Sequence, residues 1–164
     1  ENEQILEFYK KQSLIKATIH NVDALISQHI DLTKDIEELR RGMNKTKRNL
    51  LNRLLKNNDV SVKVFNDDSQ FDVFKDFHLQ TTRLKGYKDK PVNLLIEEFK
   101  EQISNGMFYI LIGYYKNTPI GLWQCTGYGN NVHQYQAGTD AEGIGMNVNI
   151  AYVLLCETVK LRNV

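Results

Sequence analysis

The stretch HQYQAGTDAEGIG, from His133 to Gly145, sets an imidazole, a phenol and a carboxylate (His133, Tyr135, Asp140) just ahead of two glycines, Gly143 and Gly145. Side chains of these types take up a proton or steady a developing oxyanion. Together with positioning, those are what acyl transfer to an amine requires. The glycines open a strongly apolar segment. Glycine lets the backbone approach a phosphate closely, and the N–H groups of a helix N-terminus favour an anion there. The same pair would also make a tight turn into a core helix, and residue types alone leave both readings open.

Other chemistries find less support. The four histidines, at 20, 29, 78 and 133, lack metal-ligand spacing. Cys125 could meet His133 across a hairpin as a nucleophile pair, but it sits mid-strand in an apolar run, and core packing accounts for it better. The segment RRGMNKTKRNLLNRLLK (40–56) carries seven basic residues and no acidic one. Arg48 and its neighbours form either a solvated face or a patch that meets phosphates, which Arg forks and Lys ammoniums bind well.

Composition bounds these readings. With 164 residues the chain can build one domain with a real core, and two complete domains are not expected. Hydrophobic residues at 41% and charged residues at 25% match ordinary soluble proteins. A net charge of +1 gives no reason to expect a global nucleic-acid or anionic-membrane partner. Cys125 and Cys156, both in apolar runs, fit reduced core residues in a cytosolic setting. No apolar run approaches the roughly 20 residues that span a bilayer. A start at Glu1 without Met, and an abrupt end at Val164, read as part of a longer polypeptide.

Apolar spacing predicts a helix over 4–16, a strand over 24–32 and a helix capped by Thr33. It then predicts a helix through 40–56 with the stripe Leu50, Leu51, Leu54 and Leu55, and a strand over 60–65. Ser69 is the expected cap of a helix whose one face carries Phe71, Phe74, His78 and Thr81. Pro91 opens another, with Val92, Leu95, Ile96, Phe99 and Ile103 inward and a stop at 104–106. Strands at 107–115, 119–126 and 132–138, joined by turn-length links, should make an antiparallel meander. The segment 147–161, apolar on nearly every side, belongs against a sheet. The result is a three-layer α+β arrangement. Residues 1–59 read as a lead-in with the basic helix, and 60–164 as an incomplete domain.

This order resembles the first two-thirds of the GNAT acyltransferase fold, and the local sequence is similar to its FemABX branch. The pieces are DLTKDIEELRRGMNKTKRN (31–49), FKDFHLQTTRLKGY (74–87), YYKNTPIGLWQC (114–125) and HQYQAGTDAE (133–142), within a resemblance over about 27–164. It implies a GNAT-like fold with a mixed, mainly antiparallel sheet, helices on both faces and the C-terminal strands missing. A sheet edge left uncovered in that way invites self-association. The function implied is an acyl- or aminoacyltransferase of cell wall biogenesis, acting on an amine of a peptidoglycan or polysaccharide precursor. It would work in the bacterial cytoplasm or at the inner membrane surface, without a membrane span.

The resemblance also assigns expected roles. His133, Tyr135 and Asp140 fall where the family's chemistry occurs. Arg83, Lys85 and Tyr87 fall where a basic residue meets the acceptor's phosphates, although compensation of a helix C-terminus explains them equally well. Arg48 belongs to the family's basic Thr-x-Arg segment. No cofactor is firm, and the acyl donor is either aminoacyl-tRNA or acyl-CoA. Acetyl-CoA-dependent members carry Gln/Arg-x-x-Gly-x-Gly/Ala before the central helix. Here Gly143 and Gly145 keep the spacing, but Asp140 stands where the Gln or Arg should be. Its carboxylate would repel a pyrophosphate by roughly a kcal/mol or more, so a tRNA-borne or other donor is expected over acetyl-CoA. The alternatives are an acetyl-CoA-dependent N-acetyltransferase and a non-catalytic GNAT-like binding domain.

Overall fold

In the computed structural model, which describes residues 7, 10, 11, 29–86, 91–106, 108–129, 131–140 and 148–161, Asn44 breaks the basic segment in two. Helix α1 (Ile36–Gly42) ends ahead of it and α2 (Lys45–Leu55) begins after it. The Asn44 side chain accepts the Thr46 N–H at 2.9 Å. A short amide oxygen at this place satisfies a donor that a continuous helix would have used internally, and Gly42 weakens continuation further. The cap of α1 is Asp35, which accepts from the Glu38 N–H at 2.7 Å, and not Thr33. Of the leucine stripe, Leu51 and Leu54 are buried while Leu55 is 45% exposed, because it stands to the side of the contact.

The chain divides into two compact units, Glu1–Asp31 and Leu32–Val164, so both helices of the basic segment lie in the unit that holds the sheet. In the first unit Glu7, Lys10 and Lys11 are helical, inside the range 4–16 where a helix is expected. The strand expected over 24–32 does not form at 29–32, which has neither ladder nor helix. Residues 24–28 lie outside the described residues. Loose alternation makes a strand only where a partner strand is present to pair with it.

After α2 come β1 (Val60–Phe65), a 3₁₀ turn (Asp68–Gln70), α3 (Phe71–Lys85) and α4 (Val92–Ser104). Asp67 caps the turn by accepting from the Ser69 N–H and hydroxyl, a role expected of Ser69 itself. A carboxylate accepts two hydrogen bonds at once, which a hydroxyl does less well. Helix α3 stops at Gly86, whose φ of +68° suits a residue without Cβ, and its N–H closes on Thr82 O at 2.9 Å. Val92 opens α4 but is 42% exposed, since the first turn overhangs the core that Leu95 and Phe99 enter.

Strands β2 (Phe108–Tyr115), β3 (Thr118–Tyr128) and β4 (Asn131–Thr139) form the meander that the spacing predicts. Lys116 and Asn117 both have positive φ, the condition for a two-residue hairpin turn that matches strand twist. The sheet order is β1-β2-β3-β4, and β1 and β4 are its edges among the described residues. All three pairings are antiparallel, so the mixed sheet that the resemblance implies is not found among the described residues. The turn-length links between β2, β3 and β4 allow only antiparallel neighbours, since a parallel pair needs a long crossover.

Parity along β2 sorts the core. Phe108, Ile110 and Ile112 pack with Phe74, Phe77, Leu95 and Phe99 of α3 and α4 on one face. Leu111, Ile120 and Cys125 pack on the other with Leu54 of α2 and with Ile150, Val153 and Leu154 at and in helix α5 (Ala151–Lys160). The helices thus cover both faces, and each fully buried leucine contributes about 1.5–3 kcal/mol. Of the segment 147–161, the described residues 148–161 lie against the sheet as expected. Gly121 makes room for it, since a Cβ there would stand 2.6 Å from Ile150 Cγ2.

Candidate functional site

The register between β3 and β4 contains one irregularity. Gln124 pairs with Gln136, and the next residue, Cys125, pairs with Gln134. Tyr135 is the residue inserted between them. A bulge of this kind bends its strand and re-aims a side chain. Here it brings Tyr135, 43% exposed, to the mouth of a cleft between α3 and β4.

The cleft has a volume of about 390 Å³. Phe74, Phe77 and Leu122 give it an apolar floor, His78, Thr81 and Lys85 one wall, and Tyr135 to Gly138 the other. The helical wall follows directly from α3, because positions 74, 77, 78, 81 and 85 share one helical face. Gly138 sets how closely the walls approach: a Cβ on it would lie 2.9 Å from Phe77 Cβ and 3.4 Å from Thr81 Oγ1. Across the cleft His78 Nδ1 meets Gln136 Oε1 at 3.1 Å. An amide oxygen there requires the proton on Nδ1, which makes Nε2 the ring's acceptor. The His78 ring also stacks on Phe74, with centroids 6.3 Å apart.

Of the residues singled out in the sequence, the structure brings Tyr135 and Lys85 to this cleft. His133 pairs with Thr126, is exposed and stands beyond the cleft lining. Asp140 follows β4, where its N–H reaches Ile120 O at 3.4 Å and its Oδ1 accepts from the Thr139 hydroxyl at 3.4 Å. It does not line the cleft either. Arg83 is exposed and turned away, two residues (about 200° of helix) from Thr81. Arg48 lies on α2, which packs on the opposite face of the sheet, and its guanidinium donates to Arg41 O at 2.8 Å. Tyr87, Gly143 and Gly145 lie outside the described residues.

Gln136 and the depth of Thr81 were not found from the sequence. His78 and Thr81 were visible as one helical face, but no local signal marks Gln136, because only the bulge decides which way it points.

A Cys125–His133 pair is not formed. Cys125 is fully buried on the α5 face, with its sulfur 3.9 Å from Thr158 Oγ1, whereas His133 shares the parity of Thr126 on the other face. Burial pushes the Cys125 thiol up to about 11, so it carries no thiolate at neutral pH. Burial likewise raises Cys156. Among the described residues no cluster of His, Cys, Asp and Glu could hold a metal ion, and no helix is long and apolar enough to cross a membrane.

No protein-family model matches the chain, and no curated protein matches it.

Proposed function

We propose that this chain is part of a GNAT-like acyl- or aminoacyltransferase of the FemABX kind, moving its group onto an amine of a cell-envelope precursor. The observation that carries the reading is the bulge that turns Tyr135 into the α3–β4 cleft, beside the His78–Gln136 pair. The element order from β1 to α5 supports it as well, being the order the resemblance implies.

In this reading the amine nitrogen attacks the acyl carbonyl carbon. The C–N bond forms, the C–O bond to a tRNA ribose or the C–S bond to CoA breaks, and the leaving oxygen or sulfur takes a proton. The Tyr135 hydroxyl donates to the oxyanion that develops on the carbonyl. His78, held by Gln136, takes the proton released by the amine. No carboxylate is among the described residues lining the cleft, and Lys85 stands at its wall. Such a setting disfavours an ammonium and so favours the free amine, the form that attacks.

The test supplies the intact protein with an amine-bearing precursor peptide and, separately, aminoacyl-tRNA or acetyl-CoA, and follows the acylated product by mass spectrometry. Transfer is expected, and Tyr135→Phe should slow it about 100-fold, the scale of losing one oxyanion donor. Tight binding of the peptide with no transfer from either donor would replace this reading with the non-catalytic binding domain.

A further inference from the structure

Three threonines lie within α3 or α5, and they divide two against one. Thr82, buried with 3% of its surface exposed, donates its hydroxyl to Leu79 O at 3.0 Å. Thr158 does the same to Leu154 O, also at 3.0 Å. Bonding back to the preceding turn is the ordinary solution for a threonine inside a helix. Thr81, 5% exposed, does not adopt it, and its Oγ1 is buried with no hydrogen-bond partner. That hydroxyl is in the wall of the α3–β4 cleft. Leaving a buried hydroxyl unsatisfied costs stability, because the group loses its water without gaining a partner. A valine of the same shape would avoid that cost, so the hydroxyl is explained by something that enters the cleft.

The rest of the lining defines what that is. Gln136 spends its oxygen on His78, which leaves its amide N–H groups as donors. Lys85, one helical turn beyond Thr81, adds an ammonium. The cleft therefore offers donors and positive charge above an apolar floor, with no carboxylate among the described residues lining it. The matching ligand is rich in acceptors and carries a negative charge.

We infer that the cleft binds the carboxylate end of an N-acylated amino acid or peptide, with the amide carbonyl accepting from Thr81 Oγ1 and the carboxylate facing Lys85. Carbonyl and carboxylate one residue apart fit the single helical turn that separates Thr81 from Lys85. The inference rests on the transferase reading for its biological sense, since it makes this the seat of a peptide substrate's terminus. Its physical content is separable from that reading.

The experiment titrates the intact protein with N-acetylalanine and with N-acetylalanine amide, following both by NMR. The acid should bind at least 10-fold more tightly than the amide. Thr81→Val should weaken the acid 5- to 20-fold while raising Tm by about 3 °C, because it removes an unsatisfied polar group. Thr81→Ser, which retains the hydroxyl, should bind as the parent does. Lys85→Met, on the exposed end of the helix, should abolish the preference for acid over amide. Equal affinity for the two probes would overturn the inference, and so would unchanged binding in Thr81→Val or a fall in its Tm. The two readings fail separately. Acyl transfer that proceeds without inhibition by N-acetylalanine sinks this inference alone, whereas selective acid binding without any transfer sinks the transferase alone.

Discussion

His78 Nδ1 and Gln136 Oε1 lie 3.1 Å apart, although 58 positions separate the two residues in the chain. Their contact joins the middle of α3 to strand β4 and fixes the imidazole tautomer at the cleft. The tautomer should be visible as an Nδ1-protonated ring in long-range ¹H–¹⁵N spectra. Gln136→Leu should shift the ring toward the Nε2–H form and cost about 1 kcal/mol in urea unfolding, the net worth of one hydrogen bond. An unaltered tautomer signature in that variant would show that the amide does not hold the ring.

Gly138→Ala should be more damaging than its size suggests. The new Cβ would stand 2.9 Å from Phe77 Cβ, an atom fixed to the helix backbone that no rotamer change can move. We expect a loss of about 1–3 kcal/mol, as for overpacking elsewhere, with the α3 wall displaced. The contrasting case is Gly121→Ala, which meets the outer Cγ2 of Ile150 and should be rescued by Ile150→Ala. Chemical denaturation of the three variants checks the ranking, and equal losses at 121 and 138 would contradict it.

Cys125 makes stability fall in alkali. Burial raises its thiol from 9.0 to about 11, so between those values the folded chain keeps a proton that the unfolded chain has released. The unfolded state then binds fewer protons, and unfolding becomes easier as pH rises. The contribution is intact below pH 9 and is lost toward pH 11, by about 3 kcal/mol in full. Urea melts of the parent and of Cys125→Ala across that window should converge as pH rises. Parallel profiles would rule out the thiol as the cause.

On the proposed reading, Asp140 is the residue that disfavours acetyl-CoA as the donor. If its carboxylate opposes a pyrophosphate, the unmodified protein should show no micromolar acetyl-CoA binding, which would correspond to about −8 kcal/mol. Asp140→Arg should then tighten binding, since a guanidinium matches phosphate geometry. Calorimetry decides between them. Micromolar binding by the parent would move the proposal to the acetyl-CoA-dependent kind.

Local chemistry in the sequence was sufficient for most elements. The 3.6-residue spacing of Phe74, His78 and Thr81, the alternation VSVKVF and the turn pair Lys116-Asn117 each specify a conformation through neighbours a few positions away. The segment 147–161, apolar on nearly every side, had to be covered, and Val153, Leu154, Cys156 and Val159 of its helix are buried. Where the reading missed, two local options competed. Asn44 outbid helix continuation through 40–56, and Asp67 outbid Ser69 as a cap, each by hydrogen-bond strength that a periodicity pattern does not register.

The site itself depended on long-range pairing. Whether Gln136 faces α3 or α5 turns on one inserted residue in β4, and a one-residue step reverses every side chain beyond it. Nothing in HQYQAG marks Tyr135 as that residue. The same folding separated Arg48 from the cleft by a whole sheet and turned Arg83 outward, while it drew Lys85, Thr81 and Tyr135 together. Residue types were set by the sequence, but which of them meet was decided by strand register and by a glycine at 138 that let helix and strand close on each other.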